Sequence, residues 1–229
     1  MTQKDMHKEI GTVRRVAAPG PEFDLSDVYL RVGKRAFDII VSLQFLIFFA
    51  PVMLVVAVLA GLDGGSPLFG HERIGQNGRR FRCLKFRTMR VDAAPILADL
   101  LERDPEAAAE WARDHKLTND PRITAIGGVL RRTSLDELPQ LLNVLRGDMS
   151  LVGPRPVTEE ELLRYEHHIT KYLSLRPGLT GLWQVHGRGR VGYKERVEMD
   201  AQYFWTANFW GDLKLLLLTS AVVFQRRGQ

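Results

Sequence analysis

The stretch "IIVSLQFLIFFAPVMLVVAVLAGL", residues 39 to 62, decides how this chain is built. Only Ser42 and Gln44 are clearly polar, and about 24 residues is long enough to cross the hydrocarbon of a bilayer. The run is expected to be embedded in a membrane. Mostly polar residues precede it and no small-residue cleavage site follows, so it does not read as a signal peptide and the mature chain should retain it. Pro51, near its middle, removes one helical hydrogen bond and crowds the preceding turn, which favours a kink or a break. Each limb is then roughly 17 to 18 Å long at about 1.5 Å per residue, so length admits both a kinked span and a helix folded back on itself. The flanks bear on the choice. Arg31, Lys34 and Arg35 lie before the run, and Arg73, Arg79, Arg80, Arg82, Lys85 and Arg87 lie after it. Positive flanks prefer the cytoplasmic side, so the economical arrangement is a re-entrant hairpin with both ends there.

Outward from this run, 229 residues suit one folded body plus an attachment element. Lys+Arg 32 against Asp+Glu 27 gives a net charge of +5, which fits nucleic acid, an anionic membrane surface or phosphate-bearing substrates. The single Cys83 excludes an intramolecular disulfide and makes a cysteine zinc site implausible. His167 and His168 are adjacent, but no HExxH spacing occurs, so they are expected to be solvated or packed.

The expected organisation is a polar tail over 1–33, the membrane element over 34–63 broken at Pro51, the main folded body over 64–224 and a basic tail over 225–229. The tail should hold at most a short helix near Leu25 to Leu30. "PLFGHERIGQNGRRFRCLKFRTM" predicts a hairpin turning at Gly-Gln-Asn-Gly, with Lys85 and Arg87 on one face of its second strand. Residues 92 to 116 predict two helical pieces around Asp104 and Pro105, followed by the turn "TNDPR". Helices are expected over Leu138 to Leu145 and Glu159 to Leu173. A further apolar helix over 209 to 224 has Trp205, Phe209 and Trp210 at its entrance, where it could lie in the membrane interface or in a core.

Two motifs need weighing. "GRGRVG", residues 187 to 192, satisfies G-x-G-x-x-G after the possible strand "LWQV". Without a second parallel crossover it reads as a basic loop over an anionic ligand, not as a dinucleotide site. No phosphate-binding G-x-x-x-x-G-K-[ST] loop occurs. "RRTSLDELPQ", residues 131 to 140, allows two readings. Ser134 and Glu137 have capping-box spacing, but that start would place Pro139 where a helical N–H is needed. Starting at Asp136 puts the proline at a position that needs no donor, and sets Asp136 at a helix lip beside Glu137, with Arg131 and Arg132 upstream. In "GDMSLVGPRP" two prolines restrain Arg155, which suits a guanidinium meeting a phosphate in one orientation.

Taken together, "KRAFDII", the apolar run, "RIGQNGRRFRCLKFRTM", "DPRIT", "LRRTSLDELPQLLNVLRGDMSLVGPRP" and "RPGLTGLWQVHGR" closely resemble the bacterial sugar transferase family, the monotopic phosphoglycosyl transferases. The likeness runs from about Lys34 to Leu218 and is closest to the exopolysaccharide production branch. It implies an α+β, mainly helical fold: a re-entrant membrane helix hairpin plus a small cytoplasmic catalytic domain with interfacial amphipathic helices, at the bacterial inner membrane. It also implies transfer of a sugar 1-phosphate, galactose or glucose, from a UDP-sugar to undecaprenyl phosphate, with UMP released and Mg²⁺ as cofactor. By position, the resemblance makes Asp136 the nucleophile and Glu137 its partner in metal binding or proton handling, both serving as metal ligands. Lys85, Arg131 and Arg155 match basic positions of the phosphate site, and Arg87 is grouped with them as substrate-binding. The implied partners are the UDP-sugar, undecaprenyl phosphate and the inner membrane, with a homodimer left open; no nucleic acid is expected, because the basic residues are interleaved with the membrane segment. One departure stands out: many relatives have Ser-Pro at the helix break, where this chain has Ala50-Pro51. Outside the resemblance, the competing reading is a non-catalytic, membrane-anchored module whose basic face binds anionic lipid or a partner protein.

Overall fold

The structure, a computed structural model, describes residues 29–114, 116–187 and 191–225. Among the described residues the fold is mainly helical with four short strands, as the α+β expectation required. The helices are α1 Lys34–Gly61, α2 Ala93–Arg103, α3 Pro105–Asp114, α4 Ala125–Thr133, α5 Gln140–Arg146, α6 Glu159–Leu163, α7 Ile169–Ser174, α8 Tyr193–Thr206 and α9 Phe209–Gln225. Strands β1 Leu68–Ile74 and β2 Arg80–Phe86 pair with each other, and β3 Ser150–Val152 pairs in parallel with β4 Gly178–Thr180.

Helix α1 keeps its helical assignment without interruption through Pro51. It is long and apolar enough to cross a membrane, and the protein covers only 11% of its most apolar window. A core helix of a soluble protein would be covered by its neighbours, whereas Ile40, Ile47, Phe48, Leu54, Val55 and Val58 are all exposed. That makes α1 a candidate membrane segment.

The described residues form two compact units that interleave along the sequence: those of 29–48, 70–84 and 140–225 in the first, and those of 49–69 and 85–139 in the second. In the first unit a core forms from Ile74, Val157, Leu162, Tyr165, Tyr172, Leu173 and Val197. Tyr172 also satisfies the backbone there, its hydroxyl donating to the Ile74 carbonyl (2.8 Å) and accepting from the Val157 amide (3.2 Å). The start of α1 is held by polar contacts. Lys34 Nζ donates to Asp212 Oδ2 (2.5 Å), and Asp38 Oδ1 accepts from the Leu151 amide (2.9 Å) and the Ser150 hydroxyl (3.0 Å). Arg35 donates to the Val144 and Leu145 carbonyls (2.6 and 2.7 Å), answering the unpaired carbonyls at the end of α5. Between β3 and β4 the backbones approach so closely that a Cβ at Gly178 would stand 2.1 Å from the Gly153 amide nitrogen.

The second unit packs Val56, Phe86 and Leu130 together, with Met53, Ala57, Ile126, Leu135 and Leu138 against them. The latter half of α1 therefore lends Val56 and Ala60 to a protein core while its other faces stay uncovered.

Several expectations are met. The hairpin turns at Gly75 to Gly78, where the Gly75 amide donates to the Arg79 carbonyl (2.8 Å) and Asn77 takes the left-handed conformation. Two helices flank Asp104, whose side chain accepts from the Glu106 and Ala107 amides and so starts α3. Others are corrected. The helix expected over Glu159 to Leu173 is two short helices separated by a 3₁₀ turn at Glu166–His168, because Glu166 adopts φ 46° and interrupts the helical run. "LWQV" is not a strand: residues 183–187 wind into a π-helical turn. The tail expectation falls mostly outside the described residues, as do positions 188–190 of the expected anion loop.

Candidate active site

Helix α4 is capped by Thr124, whose hydroxyl accepts from the Gly127 amide (2.9 Å), and ends at Ser134, which adopts φ 58°. A serine in the left-handed region is strained, and that conformation stops the helix and turns the chain. A 3₁₀ turn, Leu135–Glu137, follows, and α5 begins only at Gln140. Both starts proposed from sequence are thereby corrected. Ser134 closes α4 and its side chain makes no capping bond, and Asp136 lies inside the 3₁₀ turn, not at the lip of α5. Pro139 still explains the late start, since it stands just before the helix where no donor is needed. Leu135 and Leu138, three apart in a turn of about three residues, both pack onto the second unit's core and anchor the turn that carries Asp136 and Glu137.

Asp136 is 9% exposed, while the Glu137 side chain keeps 40% of its surface. Lys85, next to last in β2, donates from Nζ to Glu137 Oε1 at 2.6 Å. Burial raises the Asp136 carboxyl above the ordinary carboxylate range; Lys85 opposes that rise, the Glu137 charge adds to it, and Arg131 opposes it. Arg131 is fixed through Nε, which donates to the Thr88 hydroxyl at 2.9 Å. Two adjacent carboxylates, one of them already disfavoured by burial, form a hard-oxygen donor set whose mutual repulsion a divalent cation would relieve, so these residues fit Mg²⁺.

Arg87 has other engagements. It lies beyond the end of β2, so it does not share a strand face with Lys85. Its guanidinium donates to the carbonyls of Ala60 (2.6 Å) and Ser66 (2.7 Å) and grips both Asp63 oxygens. These bonds hold the Asp63 carboxyl down at about 2 and answer a terminal carbonyl of α1. Its role in the structure is to clamp the end of the apolar helix.

Lys85, Arg87, Arg131, Asp136 and Glu137 all belong to the second unit, and Arg155 belongs to the first. There the Arg155 guanidinium stacks over Trp183 (5.1 Å). Sequence reasoning did not single out Arg196, which is buried and lies over both Trp183 (4.7 Å) and Tyr193 (5.1 Å). Nearby, burial pushes Asp200 up to about 6, even though the Tyr165 hydroxyl donates to it at 2.6 Å and Arg196 and Arg155 favour its charged form. Thr88 was also missed, because a threonine at a strand end carries no signal until its partner is known. His167, His168 and Glu198 bring three potential ligand atoms within 4.8 Å, yet Lys171 Nζ stands 3.2 Å from His168 Nδ1 and opposes a cation there.

Residues 29–226 match the family model described as bacterial sugar transferase. The chain is 51% identical over 205 residues to an uncharacterized sugar transferase of Haemophilus influenzae, covering 90% of this chain and 44% of that protein. It is 50% identical over 198 residues to the undecaprenyl-phosphate galactose phosphotransferase of Salmonella typhimurium (86% of this chain, 42% of that one). With the exopolysaccharide production protein ExoY of Rhizobium meliloti it shares 48% over 198 residues, covering 86% and 88% of the two chains. It thus spans less than half the length of the first two relatives and most of the third. On this match, which takes in the whole described fold and the turn bearing Asp136 and Glu137, the chain belongs to the bacterial sugar transferase family.

Proposed function

We propose that this chain transfers a hexose 1-phosphate, from UDP-galactose or UDP-glucose, to undecaprenyl phosphate, releasing UMP and starting an exopolysaccharide repeat unit. The observation that carries the reading is the Asp136–Glu137 pair on its anchored turn, with Lys85 bonded to Glu137 and Arg131 close enough to favour the charged form of Asp136. A carboxylate attacking a diphosphate must approach like charge, at about 4 kcal/mol for one pair 4 Å apart in an effective dielectric near 20. Lys85 and Arg131 supply compensating charge and stabilise the transferring phosphoryl group. Asp136 and Glu137 would hold Mg²⁺, which when bound neutralises charge on the diphosphate.

The Asp136 carboxylate attacks the sugar-proximal phosphorus. The new O–P bond forms as the bridging P–O bond breaks, and UMP leaves with the electron pair. An oxygen of the lipid phosphate then attacks the same phosphorus and displaces Asp136. One phosphoanhydride replaces another, so no ATP input is needed. Two displacements suit a soluble donor and a lipid acceptor, which need not meet.

Basic residues on both flanks of α1 support a re-entrant topology with the catalytic body on the cytoplasmic face of the inner membrane. Since α1 stays helical through Pro51, the reversal would be a bend within a continuous helix.

The test is to give purified protein a UDP-sugar alone. The protein is expected to release UMP and gain the mass of a hexose phosphate, and Asp136→Asn should abolish both while membrane binding persists. An adduct that forms in Asp136→Asn removes Asp136 from the nucleophile role.

A further inference from the structure

We infer that Thr88 is a positioning residue for Arg131, fixing the plane of its guanidinium so that the outer nitrogens face the substrate phosphates. The inference rests on the proposed transferase reading and adds to it a residue that touches no reacting atom. Thr88 is 7% exposed and follows β2 by two positions, so it sits three residues beyond Lys85 on the same segment. It holds α4 at two places. Its carbonyl accepts from the amide of Thr124, the cap of α4 (3.1 Å), and its hydroxyl accepts from Arg131 Nε in the last turn (2.9 Å). Between these two points α4 presents Gly127 to the Thr88 backbone. A Cβ at that position would stand 2.0 Å from the Thr88 carbonyl oxygen, so this approach requires glycine.

The consequence for Arg131 follows from its geometry. A guanidinium is a planar fork of five N–H donors. With Nε engaged, the plane is set, and the two terminal nitrogens remain as the edge that can meet phosphate oxygens in a bidentate pair. Arg131 is itself exposed, so that edge is open to solvent and to a ligand. A free arginine side chain would have to lose its rotamer freedom at each binding event, whereas this one is already ordered through Thr88. The β-branched threonine has a restricted χ1, which suits it as the fixed partner.

The experiment measures single-turnover UMP release and adduct formation from UDP-sugar in the full chain. It compares wild type, Thr88→Ser, Thr88→Val, Arg131→Ala and the Thr88→Val/Arg131→Ala double variant, with thermal unfolding of each. Thr88→Ser keeps the acceptor oxygen and is expected to stay within about threefold of wild type. Thr88→Val keeps the shape, loses the oxygen and is expected to slow turnover about tenfold, with no further loss when Arg131 is already Ala. Equal rates for Thr88→Val and wild type, or the same tenfold loss in the Arg131→Ala background, overturn the proposal. If Thr88→Val does not fold, Thr88→Ala replaces it under the same criteria. A wild-type protein that releases no UMP instead removes the transferase reading itself.

Discussion

Lys85 Nζ donates to Glu137 Oε1 across 2.6 Å, joining the end of β2 to the turn that carries Asp136. The contact places a cation beside two carboxylates that would otherwise repel each other and, on the proposed mechanism, an incoming diphosphate. The Asp136 acid limb should report it. On the proposed mechanism Asp136 attacks as the carboxylate, so activity is expected to fall as pH drops through its folded pKa, which burial raises. Lys85→Met removes a charge that opposes the rise. It should slow single-turnover UMP release by about 100-fold, a loss typical of removing one electrostatic stabiliser, and should move the acid limb to higher pH. Glu137→Gln should move the limb the other way. A limb that stays in place in both variants separates these charges from Asp136.

Arg87 is tied to Ala60, Ser66 and Asp63, so Arg87→Ala should act first on stability. Loss of the clamp leaves the Ala60 carbonyl without this donor at the end of α1, and thermal unfolding in detergent is expected to drop by several degrees. A variant with unchanged melting but weakened UDP-sugar binding would instead support the substrate-binding role expected of Arg87.

Asp38 accepts from the Leu151 amide and the Ser150 hydroxyl in the first unit. Asp38→Ala orphans both donors, at about 1–3 kcal/mol each. Denaturant unfolding should reveal that loss, and Asp38→Asn, which keeps one acceptor oxygen, should lose less.

Asp200 has its folded pKa raised to about 6, above its unfolded value of 3.8. The native state binds this proton more tightly than the unfolded chain does. Its contribution is therefore fully present below about pH 4 and is lost as pH rises through about 6, amounting to ~3 kcal/mol at 1.36 kcal/mol per pKa unit. Asp200→Asn should flatten that part of a stability–pH curve, and an unchanged slope would assign it to other groups.

Cysteines introduced before Arg31 and after Arg73 are expected to be labelled from the same side of sealed vesicles. The native Cys83 is buried, which limits its background. Labelling from opposite sides would refute the re-entrant topology and make α1 a simple span.

The apolar run, the hairpin at Gly75 to Gly78 and the pair of helices around Asp104 were legible in the sequence because each follows from local rules: run length, turn residues, capping. Asp136 and Glu137 were legible as a pair, but their setting was not. Two capping patterns competed at Ser134 and Asp136, and the strained backbone of Ser134 produced a third outcome that side-chain spacing does not encode.

By itself the sequence determined that the chain carries an apolar run long enough to enter a membrane, a basic hairpin and an acidic pair near two arginines, since composition and periodicity act within a few residues. Only the tertiary structure decided that Lys85 meets Glu137, that Arg87 clamps the end of α1, and that Thr88 holds Arg131. Those pairings join positions distant along the chain. They exist because burying Val56, Phe86, Leu130 and Leu135 together brings a helix, a strand end and a turn to one place, and no local propensity specifies that meeting.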